Sequence, residues 1–209
     1  MAQKSDLSHS FVDLMTSLAI IFILLMVATL NNAASTGEQA IKDLKQEVVE
    51  ELKAMGLTLD DDPDDPNTQI IRLDEEKVKF DYKKAELKKE GKDLIGRLFI
   101  QLTPKLCEPK LLNKIESVIV EGHTDSLGNQ TTVGKLDNVK LSQDRAFAVM
   151  KEAFLALDAR GMRSEEECLR HMVSAIGRGS SRPVAHKPDA ASRRVEIKIR
   201  VKVIIPRAG

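Results

Sequence analysis

The chain has 209 residues, enough for one membrane-crossing helix and one domain of ordinary size. Its 32 lysines and arginines balance its 32 aspartates and glutamates, so no net field points to nucleic acid or another polyanion. With no tryptophan and a single tyrosine, Tyr82, it also lacks stacking platforms for single-stranded nucleic acid, and no nucleic-acid partner is expected.

The first element in chain order is an almost unbroken apolar run from Phe11 to Leu30 that contains one carboxylate, Asp13. About 20 helical residues at ~1.5 Å rise cross the ~30 Å hydrocarbon layer of a bilayer. An ionised Asp at the centre of such a helix costs roughly 2.5–3.5 kcal/mol, so its presence there points to a function. Asp13, Thr16, Ser17 and Ile20 share one helical face, which suits packing against protein or water rather than lipid. Two other readings stay open. The helix can begin at Leu14, with Asp13 as its N-cap. The run can also be a signal peptide ending near Asn32-Ala-Ala-Ser35, although it exceeds the roughly 7–15 apolar residues of such segments. No second run approaches spanning length, so we expect one span over residues 11–31 after a short tail of residues 1–10.

Residues 32–67 read as a helical linker with an acidic end. Asn31 to Gly37 is small and polar, as at a membrane exit. In Glu38 to Met55, Ile41, Leu44, Val48, Leu52 and Met55 recur at helical spacing. Such a stripe needs a partner. We favour the same helix of a second copy in a parallel dimer, with packing on its own domain as the alternative. Gly56 stops the helix, and Asp60-Asp-Asp-Pro-Asp-Asp-Pro66 reads as a solvated, proline-broken linker. The Gly and terminal Glu of an EF-hand loop are missing from it, so no calcium site is expected.

From residue 68 to 209 the pattern is that of an α+β domain. Gln69 to Leu73 and Lys77 to Tyr82 read as short strands around an Asp74-Glu75-Glu76 turn. Gly91 to Leu106 and Leu141 to Leu157 read as amphipathic helices. Ser117 to Val120, His171 to Ile176 and Val195 to Ile205 read as strands. Cys107 and Cys168 either form one disulfide, closing a loop of about 60 residues, or are two buried thiols. Neither lies in a CxxC pair, and His9, His123, His171 and His186 lack metal-ligand spacing. We expect no enzyme activity, no catalytic residues, no metal and no cofactor.

Three pieces of this domain carry the functional signal. Gly122-His-Thr-Asp125 ends a strand. Asn138-x-x-Leu141-Ser142-x-x-Arg145-Ala146-x-x-Val149 opens a helix, and Arg193-Arg194 begins the last strand. A carboxylate and a guanidinium facing one cleft recognise a group that carries both ammonium and carboxylate. An Asp125–Arg145 ion pair that only braces the fold is the alternative.

These motifs resemble the OmpA-like peptidoglycan-binding domain over residues 70–205. The resemblance implies an α/β sandwich with a mixed four-stranded sheet. It also implies that Asp125 and Arg145 hold the diaminopimelate of the peptide stem, with Asn138 and Leu141 shaping the pocket and Arg193 beside it. The chain departs from the pattern in a longer Asn129–Asp137 segment, in Ser192 before the arginine pair, and in a Gly177–Pro183 loop without the usual Tyr.

Phe-Val-Asp13-Leu-Met-Thr16 and the aliphatic run after it resemble the membrane helix of MotB-type stator subunits, most closely those of Zorya anti-phage systems (ZorB), with flagellar stators next. That resemblance implies an ion-carrying Asp13, with Thr16 and Ser17 beside it, and a proton or sodium ion as cargo. It further implies a MotA-like or ZorA-like multi-span partner in five copies to two of this chain. The N-terminus would then lie in the cytoplasm, and the C-terminal domain in the periplasm of the bacterial inner membrane. A passive tether between membrane and wall is the alternative from another class.

Overall fold

The computed structural model describes residues 3–78, 80–81, 84–126, 130–183 and 189–202, with side chains for all of these but 3–10, 32–36 and 189–190. The chain divides into two compact units, one reaching Gln39 and the other covering Ala40–Lys202. A single helix, α1 (Gln3–Ala54), contributes to both. Its stretch Phe11–Asn31 is long and apolar enough to cross a membrane. Leu14, Leu18, Ile21 and Leu25 are exposed there, as are Ile20 and Phe22 on other faces. Apolar surface on every side of a helix suits lipid rather than water.

The second unit holds a five-stranded mixed sheet, one strand more than expected. Its strands are β1 (Leu59–Asp62), β2 (Asp65–Asp74), β3 (Ile115–His123), β4 (Val173–Gly177) and β5 (Arg194–Val201), in the order β1-β2-β5-β3-β4. Only the β3–β4 pair is parallel. Between the strands run α2 (Glu75–Val78), α3 (Lys89–Cys107), α4 (Pro109–Leu112), α5 (Thr132–Ala159) and α6 (Arg163–Met172). The period-2 alternation of β5 points Val195, Ile197, Ile199 and Val201 to one face, where they join Ile71, Leu73, Val118 and Val120 in the core. α3 covers this core with Ile95, Leu98, Phe99 and Leu102, and α5 with Ala146, Val149, Ala153 and Leu157.

The structure corrects several expectations. The linker stripe does not lie open for a second copy. Ala40, Leu44, Val48 and Leu52 are at most 2% exposed and belong to the core of their own domain. The charges flanking the stripe are matched within the chain as well. Lys110 pairs with Glu47 at 2.7 Å, Lys105 with Glu51 at 3.5 Å, and Lys114 with Asp43. An apolar face so covered gains its burial energy at home.

The acidic stretch is no solvated linker either: it forms the β1–β2 hairpin. Asp62 Oδ1 accepts from the Asp64 N–H at 2.9 Å, and Asp65 Oδ1 from the Asn67 N–H at 3.0 Å, the local bonding that makes Asp a turn former. Lys45 at 2.9 Å from Asp61, Lys198 at 3.0 Å from Asp62 and Arg200 at 3.2 Å from Asp65 balance the charge.

Further along, Lys77 and Val78, expected to start a strand, belong to the helical turn Glu75–Val78. Phe80 still bridges to Leu87, while Tyr82 lies outside the described residues. His171 and Met172 end α6 instead of starting β4. Helix α5 begins at Thr132, capped by Thr131, whose Oγ1 accepts from the Gly134 N–H at 3.0 Å. The Asn138 motif therefore sits inside a helix, and Arg145 lies in its middle rather than in its first turns. Residues 203–205, expected to continue the last strand, are outside the described residues, as is His186. Cys107 and Cys168 form the disulfide, joining α3 to α6.

Candidate functional site

The site is built where β3 ends against α5. A Cβ added to Gly122 would lie 2.1 Å from the Ser142 carbonyl oxygen, and one at Gly177 would lie 2.6 Å from the Val139 carbonyl oxygen. Only glycine permits this approach of two strand ends to one helix. Ser142 then ties the elements together: its hydroxyl donates to the Val139 carbonyl at 2.7 Å and accepts from the Gly179 N–H at 2.8 Å. Gln143 adds two bonds to β4, donating to the Ala175 carbonyl at 3.0 Å and accepting from the Gly177 N–H at 2.7 Å. Two residues of the motif regions, Gly122 and Ser142, are thus structural fasteners.

The fastened junction brings Asp125, Arg145 and Arg193 together. Arg193 Nη1 donates to Asp125 Oδ2 at 2.9 Å. Arg145 is buried, its guanidinium lies 4.9 Å from the Phe80 ring centroid, and its Nε donates to the Lys84 carbonyl at 3.0 Å. Asn138 and Leu141, both half-buried, precede Arg145 by two turns and one turn of α5, so the three share a face. Of the longer Asn129–Asp137 segment between the two motifs, Asn129 lies outside the described residues.

One partner was missed in the sequence. Glu75, read there as a turn residue, opens α2 and reaches the same spot. Its Oε2 accepts from Arg193 Nε, and its Oε1 stands 4.0 Å from Arg145 Nη2. Its backbone N–H also donates to the Arg193 carbonyl at 3.1 Å. Burial lowers the Arg145 pKa, with Glu75 pulling it back up; hydrogen bonds to Asp125 and then Glu75 raise that of Arg193. The group is a four-membered alternation of two carboxylates and two guanidiniums. Such an arrangement can exchange its internal partners for a ligand's ammonium and carboxylate.

A second polar cluster lies on the sheet face opposite the core. The strand register sets Arg72, Glu196 and Glu121 side by side across β2, β5 and β3. Buried His123 brings Nε2 to 3.2 Å from Glu121 and 3.5 Å from Glu196, although neither ring nitrogen makes a well-directed hydrogen bond. Ligand atoms of Glu121, His123 and Glu196 lie within 4.8 Å of one another, as metal ligands do. The cation position is filled from within, because Lys198 Nζ stands 3.3 Å from Glu121 and 3.6 Å from Glu196. Burial raises the Glu121 pKa, but the closeness of His123, the hydrogen bond from Arg178 and the charge of Lys198 outweigh it and bring it down to about 2. Glu196 is likewise lowered, its burial overcome by His123 and Arg194.

In the membrane-length stretch, Asp13, Thr16 and Ser17 are exposed on the helix surface, and the Thr16 hydroxyl donates to the Val12 carbonyl at 2.5 Å. That bond satisfies the hydroxyl inside the helix, as is usual where water is absent.

Comparison with known proteins agrees with this architecture. Outer membrane porin F of Pseudomonas aeruginosa is 31% identical over 137 residues, which cover 65% of this chain and 32% of that protein. A MotB-like protein of Desulfovibrio vulgaris matches 84% of this chain and 99% of its own, with a TM-score of 0.51 and 17% identity. The periplasmic domain of Helicobacter pylori MotB matches 70% of this chain and 80% of its own, with a TM-score of 0.50 and 18% identity. At such identities the two structures speak for the fold alone. The model of the OmpA family matches residues 79–196, which include β3, β4, the start of β5 and every charged residue of the cleft but Glu75, and the chain belongs to that family.

Proposed function

We propose that this protein is a cell-wall-anchored subunit of a proton-driven rotary motor in the bacterial inner membrane, of the kind used in Zorya anti-phage defence. The observation that carries the wall grip is the junction of Asp125, Arg145 and Arg193, opposite charges at a strand end inside an OmpA-family domain. A diaminopimelate side chain presents the ammonium and carboxylate that match them. The disulfide supports an oxidising compartment for this domain, hence the periplasmic side. Asp13, a carboxylate in the apolar stretch, is the ion carrier in this reading, with Thr16 and Ser17 beside it and a multi-span partner completing the path. The expected stoichiometry is two copies of this chain to five of a MotA-like or ZorA-like subunit, the copies meeting through surfaces other than the buried linker stripe. A flagellar stator role is the nearest variant.

One observation favours a second reading. Because the stripe of α1 is buried in its own domain, no open dimerisation helix remains there, which suits a single-copy passive tether. Asp13→Asn and Asp125→Asn variants, assayed for phage protection in a strain carrying the locus, separate the two. The motor requires both residues, whereas the tether tolerates Asp13→Asn. Purification in mild detergent without any multi-span partner would also decide for the tether.

A further inference from the structure

The charged cleft is layered. Asp125 and Arg145 form its floor, with side chains 10% and 5% exposed, while Glu75 and Arg193 lie over them at 26% and 32%. Each floor group already has a partner of the kind a ligand would bring. Arg193 holds Asp125 at 2.9 Å, where a ligand ammonium would go, and Glu75 faces Arg145 at 4.0 Å, where a ligand carboxylate would go. Around Arg145 stand the Phe80 ring, the Lys84 carbonyl and, as the carboxylate acting on it most strongly, Glu75, with Asp125 acting on it more weakly. Glu75 and Arg193 also pair with each other through side chain and backbone, so they shield the floor as a unit.

We propose that Glu75 is an internal competitor for the wall ligand. Its carboxylate occupies the place of the ligand's carboxylate at Arg145 and keeps Arg193 over Asp125. Binding is then an exchange, in which the ligand's ammonium and carboxylate displace the Arg193–Glu75 pair. Partly exposed ion pairs hold their partners weakly, so the exchange is within reach of a zwitterionic ligand. The affinity of the grip would be set by Glu75, a residue outside the family motifs and supplied by the turn after β2. This inference rests on the peptidoglycan reading above.

The test is titration calorimetry of the full chain in detergent with a soluble muropeptide carrying a meso-diaminopimelate stem. Glu75→Gln keeps the shape and loses the charge, and is expected to tighten Kd by roughly twofold to fivefold, the scale of one exposed ion pair. The gain should shrink at high salt, where the competing charge is screened. Asp125→Asn should lose binding. If Glu75→Gln binds equally or more weakly while Asp125→Asn still loses binding, the competitor is overturned and the peptidoglycan reading stands. If the wild type shows no binding, that reading falls and takes the competitor with it.

Discussion

Arg193 Nη1 donates to Asp125 Oδ2 over 2.9 Å, although 68 residues separate them in the chain. The bond exists because β5 lies beside β3, with His123 opposite Arg194. Asp125 can therefore be neutralised without dismantling the surroundings, since Arg193 keeps Glu75 as a partner. We expect Asp125→Asn to abolish co-sedimentation with purified sacculi while changing unfolding free energy by no more than about 1 kcal/mol. A large stability loss in urea denaturation would instead make this pair a brace.

Gly122 tests the junction itself. With the Ser142 carbonyl oxygen 2.1 Å from an added Cβ, the obstacle is backbone that cannot swing aside. Gly122→Ala should cost at least about 2 kcal/mol, as overpacking at a rigid contact does. Wall binding should weaken along with it, because Asp125 rides on the same strand end. Chemical denaturation and sacculus co-sedimentation of one preparation check both effects.

The Cys107–Cys168 disulfide joins residues 61 apart. A loop of that size is worth up to about 4 kcal/mol through restriction of the unfolded chain. Reduction, or the Cys107→Ser/Cys168→Ser pair, should lower the melting temperature of the domain clearly without altering its circular dichroism at room temperature. Equal melting in the two redox states would contradict this.

Acid should find the cluster on the other sheet face. The Glu121 pKa falls from 4.5 to about 2 on folding, and that of Glu196 is lowered as well. A depressed carboxylate contributes stability above its unfolded pKa and loses it as pH falls through the folded one. Unfolding free energy should therefore drop between about pH 4.5 and 2, by up to roughly 3 kcal/mol for Glu121. Glu121→Gln should flatten that part of the profile; an unchanged slope would rule the residue out.

Much of the fold was legible in the residues. The runs around Val118, Ile197 and Phe99 announce their periods locally, whereas the two cysteines left a bridge and two buried thiols equally open until α3 and α6 were seen side by side. The site was legible as far as Asp125, Arg145 and Arg193, since their motifs are short and ordered. Glu75 was not, because nothing in Asp74-Glu75-Glu76 marks one carboxylate as facing the cleft. The hairpin at Asp60–Pro66 was hidden for a similar reason. Its acidity signals solvent until Lys45, Lys198 and Arg200 arrive from elsewhere in the chain to balance it.

Local pattern alone determined the membrane-length helix with its embedded Asp13, the α+β character and the charged triad, because hydrophobic period and residue type are properties of neighbours in sequence. Only tertiary structure decided what the apolar stripe of α1 packs on and which carboxylate meets Arg145. Burial and ion pairing are contests between surfaces brought together by folding, and the winner is the partner that stands nearest in space.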